Sequence, residues 1–360
     1  MKNSKWSRRQ LLKGTGALGT SALLTGAAFS TRVLAAAPAP EAVTPALIEA
    51  AKKESKVVWY SAMDLPVCTR LAKAFEATYP GVAVRLERSG SERNFQRIAQ
   101  ERASNIFVVD VVDSADAAHF VVWKREGLLA PYVPEEVARH FPAEYQDPDG
   151  LFATGRIWLC SIGYNTNMVK AEDAPKSFAD LLDPKWAGKM VKGHPGFSGT
   201  IMTATFQTAR DLGWEYFEKL AKQRVMQVQS STDPPKKLEL GERAVMADGN
   251  DYNLIQLKEA GRPVEVVYPT EGTPLITGPN GVFKSAPNPN AARLLRSFLL
   301  SGETQQLLVD FTGQHSVHAL VKQKPGRTPL KDIKLMKDDP AGVEAHSEEI
   351  KTRYTKIFGV

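Results

Sequence analysis

The chain has 360 residues, 43% hydrophobic and 24% charged, which excludes a disordered or fibrous protein and makes two domains the expectation. Its two cysteines exclude a disulfide scaffold and a multi-cysteine zinc cluster. The formal net charge of +6 hints at a nucleic-acid partner, but residues 1–37 hold six of the bases and no acid; residues 38–360 are formally neutral, and the electrostatic case for nucleic acid disappears.

The first segment has the three parts of an export signal, assigned to residues 1–37. A basic start contains Ser7-Arg8-Arg9-Gln10-Leu11-Leu12, a mildly apolar stretch runs from Gly14 to Phe29, and Ala35-Ala36-Ala37 offers a small-residue cleavage site. The arginine pair before leucines resembles the twin-arginine export address, with Leu11 where that pattern more often has Phe. General secretion and an uncleaved anchor are the alternatives. The apolar stretch is under 18 residues and carries Gly, Thr and Ser, which argues against a membrane span. Within it, Gly14-Thr15-Gly16-Ala17-Leu18-Gly19 spells a dinucleotide fingerprint, but no strand precedes it, so no nucleotide site is expected.

An Ala/Pro-rich linker leads to a short helix over Leu47–Glu54 and a buried strand over Lys56–Tyr60. Pro66 opens a helix whose apolar stripe is Val67, Leu71, Ala74 and Phe75. Strands over Val82–Leu86 and Ile106–Val112 alternate with helices over Asn94–Arg102 and Asp113–Arg125. Arg156–Tyr164 is strand-like, and a second run follows with helices at Pro175–Leu182, Thr200–Leu212, Trp214–Gln223 and Tyr252–Ala260 and strands at Lys189–Val191, Gly241–Met246 and Val264–Tyr268. Helices over Asn290–Ser301, Thr304–Asp310 and Glu344–Ile357 end the chain. The rhythm is that of an α/β fold with mainly parallel sheets.

Ligands of such sheets bind beyond the carboxyl ends of the strands. Here those ends carry small polar residues before a helix: Tyr60-Ser61 through Asp64, Ser89-Gly90-Ser91, Asp113-Ser114, Ser198-Gly199-Thr200 and Asn250-Asp251-Tyr252. Helix starts of this kind suit anions. Each site taken alone also reads as a plain helix cap; five in two halves point to a shared cleft. Tyr60 is the aromatic placed in that cleft. Cys68 and Cys160 read as two buried free thiols, with a bridge as the alternative.

From these residues the chain resembles the periplasmic solute-binding proteins of ABC importers, in the branch called iron(III)-binding. The likeness rests on Val57-Val58-Trp59-Tyr60-Ser61, Tyr79-Pro80-Gly81-Val82, Gly163-Tyr164-Asn165-Thr166, Asp180-Leu181-Leu182-Asp183-Pro184-Lys185-Trp186 and Tyr268-Pro269-Thr270-Glu271-Gly272-Thr273, in that order and spacing. The resemblance implies a two-lobed, type II periplasmic binding fold that closes on its ligand by hinge motion. Lobe one would be 38–163 with 279–330 and lobe two 166–272, joined by crossings near Tyr164–Asn165 and Thr273–Gly278, with a C-terminal helix, 340–360, packing on lobe two. It implies no enzyme and no cofactor, a permease partner and a monomer. Iron-binding members use a tyrosine pair, often with a His and a Glu. Here the pair reads Asp251-Tyr252, the His position falls near Asp64, and the Glu position falls near Ala115, which cannot ligate. An iron site would therefore rest on Tyr252, Asp251 and Asp64. The leading expectation is instead a small anion or zwitterion held by Tyr60, Ser61, Asp64, Ser89, Ser91, Ser114, Ser198, Gly199, Thr200, Asp251 and Tyr252. A ligand-presenting sensor subunit and a twin-arginine-exported enzyme are the competing classes.

Overall fold

A computed structural model describes residues 37–360; the arginine pair and apolar stretch of the export signal lie outside the described residues. In chain order the first run is α1 (Pro45–Glu54), β1 (Lys56–Ser61), α2 (Leu65–Thr78), β2 (Ala83–Arg88), α3 (Ser91–Ala103), β3 (Val111–Asp113), α4 (Ala118–Arg125), α5 (Glu135–His140) and β4 (Phe152–Leu159). The second is β5 (Ile162–Asn165), β6 (Met190–Gly193), α6 (Gly199–Leu212), α7 (Trp214–Ala221), β7 (Met226–Val228), α8 (Asp233–Glu239), β8 (Val245–Met246), α9 (Asp251–Glu259) and β9 (Val264–Val267). The chain then adds β10 (Leu275–Val282), α10 (Pro289–Leu299), α11 (Gly302–Phe311) and α12 (Pro340–Phe358).

Two five-stranded sheets result, ordered β2-β1-β3-β10-β4 and β7-β6-β8-β5-β9. Each is mixed rather than mainly parallel. The βαβ units give parallel pairs, β1 with β2 and β3, and β6 with β7 and β8. The strands next to the crossings run against them: β10 is antiparallel to β3 and β4, and β5 to β8 and β9.

The run 156–164 is two strands, one in each sheet. Ile162 already pairs with Val267 of the second sheet, so the first crossing lies at Cys160–Ser161, ahead of the expected Tyr164–Asn165. Leu275 already pairs with Leu159 of the first sheet, so the second crossing lies between Val267 and Leu275.

Strand alternation sets both faces of the first lobe. Trp59 packs with Leu71, Phe75, Val111 and Leu295 on one side. Its neighbour Tyr60 packs with Ile98, Val112, Phe120 and Trp123 on the other. The second lobe is built on Leu181, Trp186, Met190, Phe217 and Val245.

Three local expectations change. Pro175–Leu182 is helical only as a 3₁₀ turn over Ala179–Leu182. Helix α8 has no counterpart among the expected elements; its Pro234 and Pro235 both sit in the first turn, where no intrahelical N–H bond is lost. Finally, α12 does not pack on lobe two alone. It lies on α6 and α7 but also on α4 of the first lobe, with Val343 and Ile350 against Ala118, Met202 and Phe206. Cys68 and Cys160 are both buried and unpaired.

Candidate functional site

Helix α6 begins where the lobes meet. Ser198 caps it, Oγ accepting from the Ile201 amide at 3.4 Å. The next amide, Gly199, donates to Ser91 Oγ at the start of α3 in the other lobe, 3.1 Å away. No side chain fits at 199: a Cβ would sit 2.5 Å from Asp116 Cβ and 2.6 Å from Ser91 Oγ. Arg93 Nη2 donates to Gln229 Oε1 at 2.9 Å, and Asn253 Nδ2 donates to Asp64 Oδ2 at 3.0 Å. These contacts all pass from one lobe to the other, so the described state is closed.

Between these contacts lies a cavity of about 160 Å³. Arg88 reaches it from the end of β2, Arg93 from the first turn of α3 and Arg156 from β4. Arg156 is almost fully buried, donates to Asp113 Oδ1 at 3.1 Å, and lies over the Trp158 ring at 4.5 Å. Gly278, its register partner on β10, makes this possible: a Cβ there would meet Arg156 Cγ at 2.8 Å and Trp158 at 2.9 Å. Asp113 is further held by Trp59 Nε1 at 2.8 Å. Of the charged residues on the wall, three are arginines and one, Asp233, is an acid. Guanidinium groups bind phosphate and carboxylate oxygens through paired N–H donors.

The second lobe contributes Ser198, Thr200, Asn250, Tyr252 and the polar loop 229–233. Burial pushes the Tyr252 hydroxyl well above the usual tyrosine range, Asp64 adding to the effect, so it stays protonated. That hydroxyl accepts from Asn250 Nδ2 at 3.0 Å and donates to Asp64 Oδ1 at 3.5 Å. Two buried wall atoms, Trp158 Nε1 and Asn250 Oδ1, have no partner. Both atoms are closed to solvent, so they are unmet bonds within the packed wall rather than groups offered to the cavity.

Of the residues singled out from sequence, Ser91, Ser198, Thr200 and Tyr252 line this cavity, and Gly199 closes its edge. Asp64 stands beside it as a link between the lobes. Five do not reach it. Tyr60 lies on the far face of β1 and donates to Glu101 Oε1 at 2.9 Å. Ser61 is spent on the turn after β1, accepting from the Met63 amide and Cys68. The Ser89 amide donates to the Ser61 carbonyl, continuing the ladder. Ser114 bonds His119 and the Asp116 amide. Asp251 accepts from the Leu159 and Tyr252 amides and so pins the first crossing to α9.

Sequence reasoning does not select Arg88, Arg93, Arg156 or Trp158, and it places Asn250 in a candidate strand end without naming it as a ligand-binding residue. For Arg156 a signal exists: a single charge at the head of the apolar run Ile157–Cys160 must find a partner when buried. Nothing comparable marks Arg88 or Arg93. Among the described residues no three His, Cys, Asp or Glu side chains group as metal ligands. The carboxylate of Asp251 is engaged with backbone amides rather than brought together with the Tyr252 hydroxyl and Asp64.

The family of bacterial extracellular solute-binding proteins matches residues 108–332, and the chain belongs to it. A probable ABC transporter periplasmic-binding protein of Sinorhizobium fredii is 24% identical over 294 residues, 78% of this chain and 76% of that protein. The structure of the periplasmic binding protein AfuA from Actinobacillus pleuropneumoniae, with exogenous fructose-6-phosphate bound, is similar at a TM-score of 0.78 with 26% identity, covering 85% of this chain and 99% of that one. Iron-bound HitA from Pseudomonas aeruginosa superimposes with a TM-score of 0.73 at 22% identity, covering 84% and 99%, a likeness of fold alone. The fold is thus that of the type II periplasmic binding proteins.

Proposed function

We propose that the chain is the periplasmic solute-binding component of an ABC importer and that it closes on a small anion. In this reading it reaches the periplasm by the twin-arginine route, works as a monomer without a cofactor, and hands its solute to a membrane permease. The carrying observation is the wall of the inter-lobe cavity: Arg88, Arg93 and Arg156 against the single carboxylate of Asp233, at the N-terminus of α6. The hydroxyls of Ser198, Thr200 and Tyr252 on the same wall add hydrogen-bonding groups for the rest of the molecule. A space of about 160 Å³ suits a ligand of about ten to fifteen non-hydrogen atoms, at about 10–15 Å³ for each. That a relative has been solved with a sugar phosphate bound supports an anion of this kind.

The crossings at Cys160–Ser161 and between Val267 and Leu275 are the hinge. The ligand favours the closed form because only that form brings Arg156 of one lobe and Thr200 of the other to the same molecule. The ferric alternative is disfavoured by the three guanidiniums, which repel a cation, and by the engagement of Asp251. A role in presenting the ligand to a receptor kinase would use the same closure.

The test is a thermal-shift and calorimetric screen of mature protein against inorganic phosphate, sugar phosphates, phosphonates and carboxylates, with ferric citrate alongside. An anion at 100 times its Kd raises stability by about 2.7 kcal/mol. A coloured, stoichiometric iron complex that fades in Tyr252→Phe overturns the reading.

A further inference from the structure

We propose that the solute is longer than the basic cavity and that its organic tail passes beneath Asp64 into a second chamber of the same cleft. The proposal rests on the anion reading above and adds the shape and chemistry of the rest of the molecule.

A second cavity of about 480 Å³ adjoins the first and shares two wall residues with it, Arg88 and Thr232. Between them stands a partition in which Asp64 from lobe one meets side chains of α9. Asp64 Oδ2 accepts from Asn253 Nδ2 at 3.0 Å, Oδ1 accepts from the Tyr252 hydroxyl at 3.5 Å, and Arg88 Nη2 lies 4.0 Å from Oδ1. The bonds from Asn253 and Tyr252 join opposite lobes, so they form as the lobes close. A ligand lying across them can replace the Asn253 donor at Asp64 without exposing any main-chain group.

The two chambers differ in chemistry. The first is lined by guanidiniums and hydroxyls. The apolar part of the second includes Pro66, Pro235, Leu257 and Phe311; Lys236, Glu239 and Gln256 complete its rim, and Asp64 also lines it. An acidic head belongs in the first. A carbon chain belongs in the second, and a hydroxyl or amino group along it would meet the Asp64 carboxylate. The ligand class is therefore a phosphate or carboxylate acid with a carbon tail of several atoms that carries a hydrogen-bond donor.

The experiment uses mature protein and two homologous series, monoalkyl phosphates and alkanoates of one to eight carbons, with inorganic phosphate as the comparator. Calorimetry reads the affinity of each member. The affinity is expected to rise about fourfold for each methylene that enters the second chamber. Leu257→Trp fills that chamber and should flatten the slope with chain length; a second obstruction, Pro235→Phe, guards against a folding defect in the first. An added terminal hydroxyl or amino group should strengthen binding, and Asp64→Ala should remove that increment. If short acids bind and show no rise with length in either series, the second chamber is solvent and this inference is overturned while the anion reading stands. If no member of either series binds, the anion reading fails and this one with it.

Discussion

The backbone amide of Gly199 donates to the hydroxyl of Ser91, 3.1 Å away, and this bond ties the first turn of α6 to the first turn of α3 across the cleft. The approach leaves no room for a Cβ, which would come within 2.6 Å of Ser91 Oγ and 2.5 Å of Asp116 Cβ. Each lobe can fold with alanine at 199, because the conflict is between lobes. Gly199→Ala is therefore expected to hold the lobes apart. Small-angle scattering should give a larger radius than the parent, and ligand affinity should fall about tenfold or more. A variant that scatters and binds like the parent shows that closure does not need this contact.

The buried carboxyl of Asp251 supplies a pH dependence. Burial raises it from 3.8 to about 7, although the Leu159 and Tyr252 amides oppose the shift. The folded protein thus keeps a proton that the unfolded chain releases from about pH 4 upward. The stability this contributes is complete below about pH 4 and is lost as pH rises towards 7. Asp338, raised by burial to about 6, drifts in the same direction over a narrower range. Asp251→Asn keeps Oδ1 as an acceptor for both amides but cannot ionise. Its melting temperature relative to the parent should therefore increase between pH 4 and 7. Parallel curves would show that Asp251 is ionised in the folded protein.

The βαβ rhythm of both halves is legible because strand runs such as Val57-Val58-Trp59 pack on both faces, whereas helix stripes such as Val67, Leu71 and Phe75 bury one. The first crossing is not. Residues 157–164 are buried throughout and apolar apart from Ser161, since both lobes enclose them, so a lone serine is all that marks Cys160–Ser161. Alternation says that Trp59 and Tyr60 face opposite ways but not which of them faces the ligand; in the fold, neither lines the cavity. Ser91, Ser198 and Thr200 can be read as helix starts after strands. Arg93 gains its meaning only from Gln229, 136 residues away, and Arg156 from Asp113, 43 residues away. Pairings between residues so far apart in the chain leave little local trace in one sequence.

Export is tested separately from binding. With Arg8 and Arg9 both changed to Lys, unprocessed precursor should accumulate in the cytoplasm, whereas the parent gives a periplasmic product beginning near Ala36 to Pro38. Cell fractionation and N-terminal sequencing read both outcomes. Normal export of the double variant would exclude the twin-arginine route.

Arg156 and Asp113 form an ion pair that is nearly closed to solvent, and the two residues need different tests. Arg156→Met leaves the Asp113 carboxylate buried with only the Trp59 indole and a longer contact to the Ala62 amide. Breaking a buried pair from one side costs about 3–5 kcal/mol, so this variant should melt well below the parent. Loss of binding in it would then prove little. Arg156→Met combined with Asp113→Asn removes both charges. An asparagine oxygen still accepts from Trp59, the methionine chain still covers the face of Trp158, and much of the lost stability should return. Anion binding should not return, because the charge that faces the cavity is gone. A charge-assisted bond is worth about 1.5–3 kcal/mol, so affinity should remain about ten- to a hundredfold below the parent. If the double variant is stable and binds its anion like the parent, Arg156 serves the fold alone, and Arg88 and Arg93 hold the ligand without it.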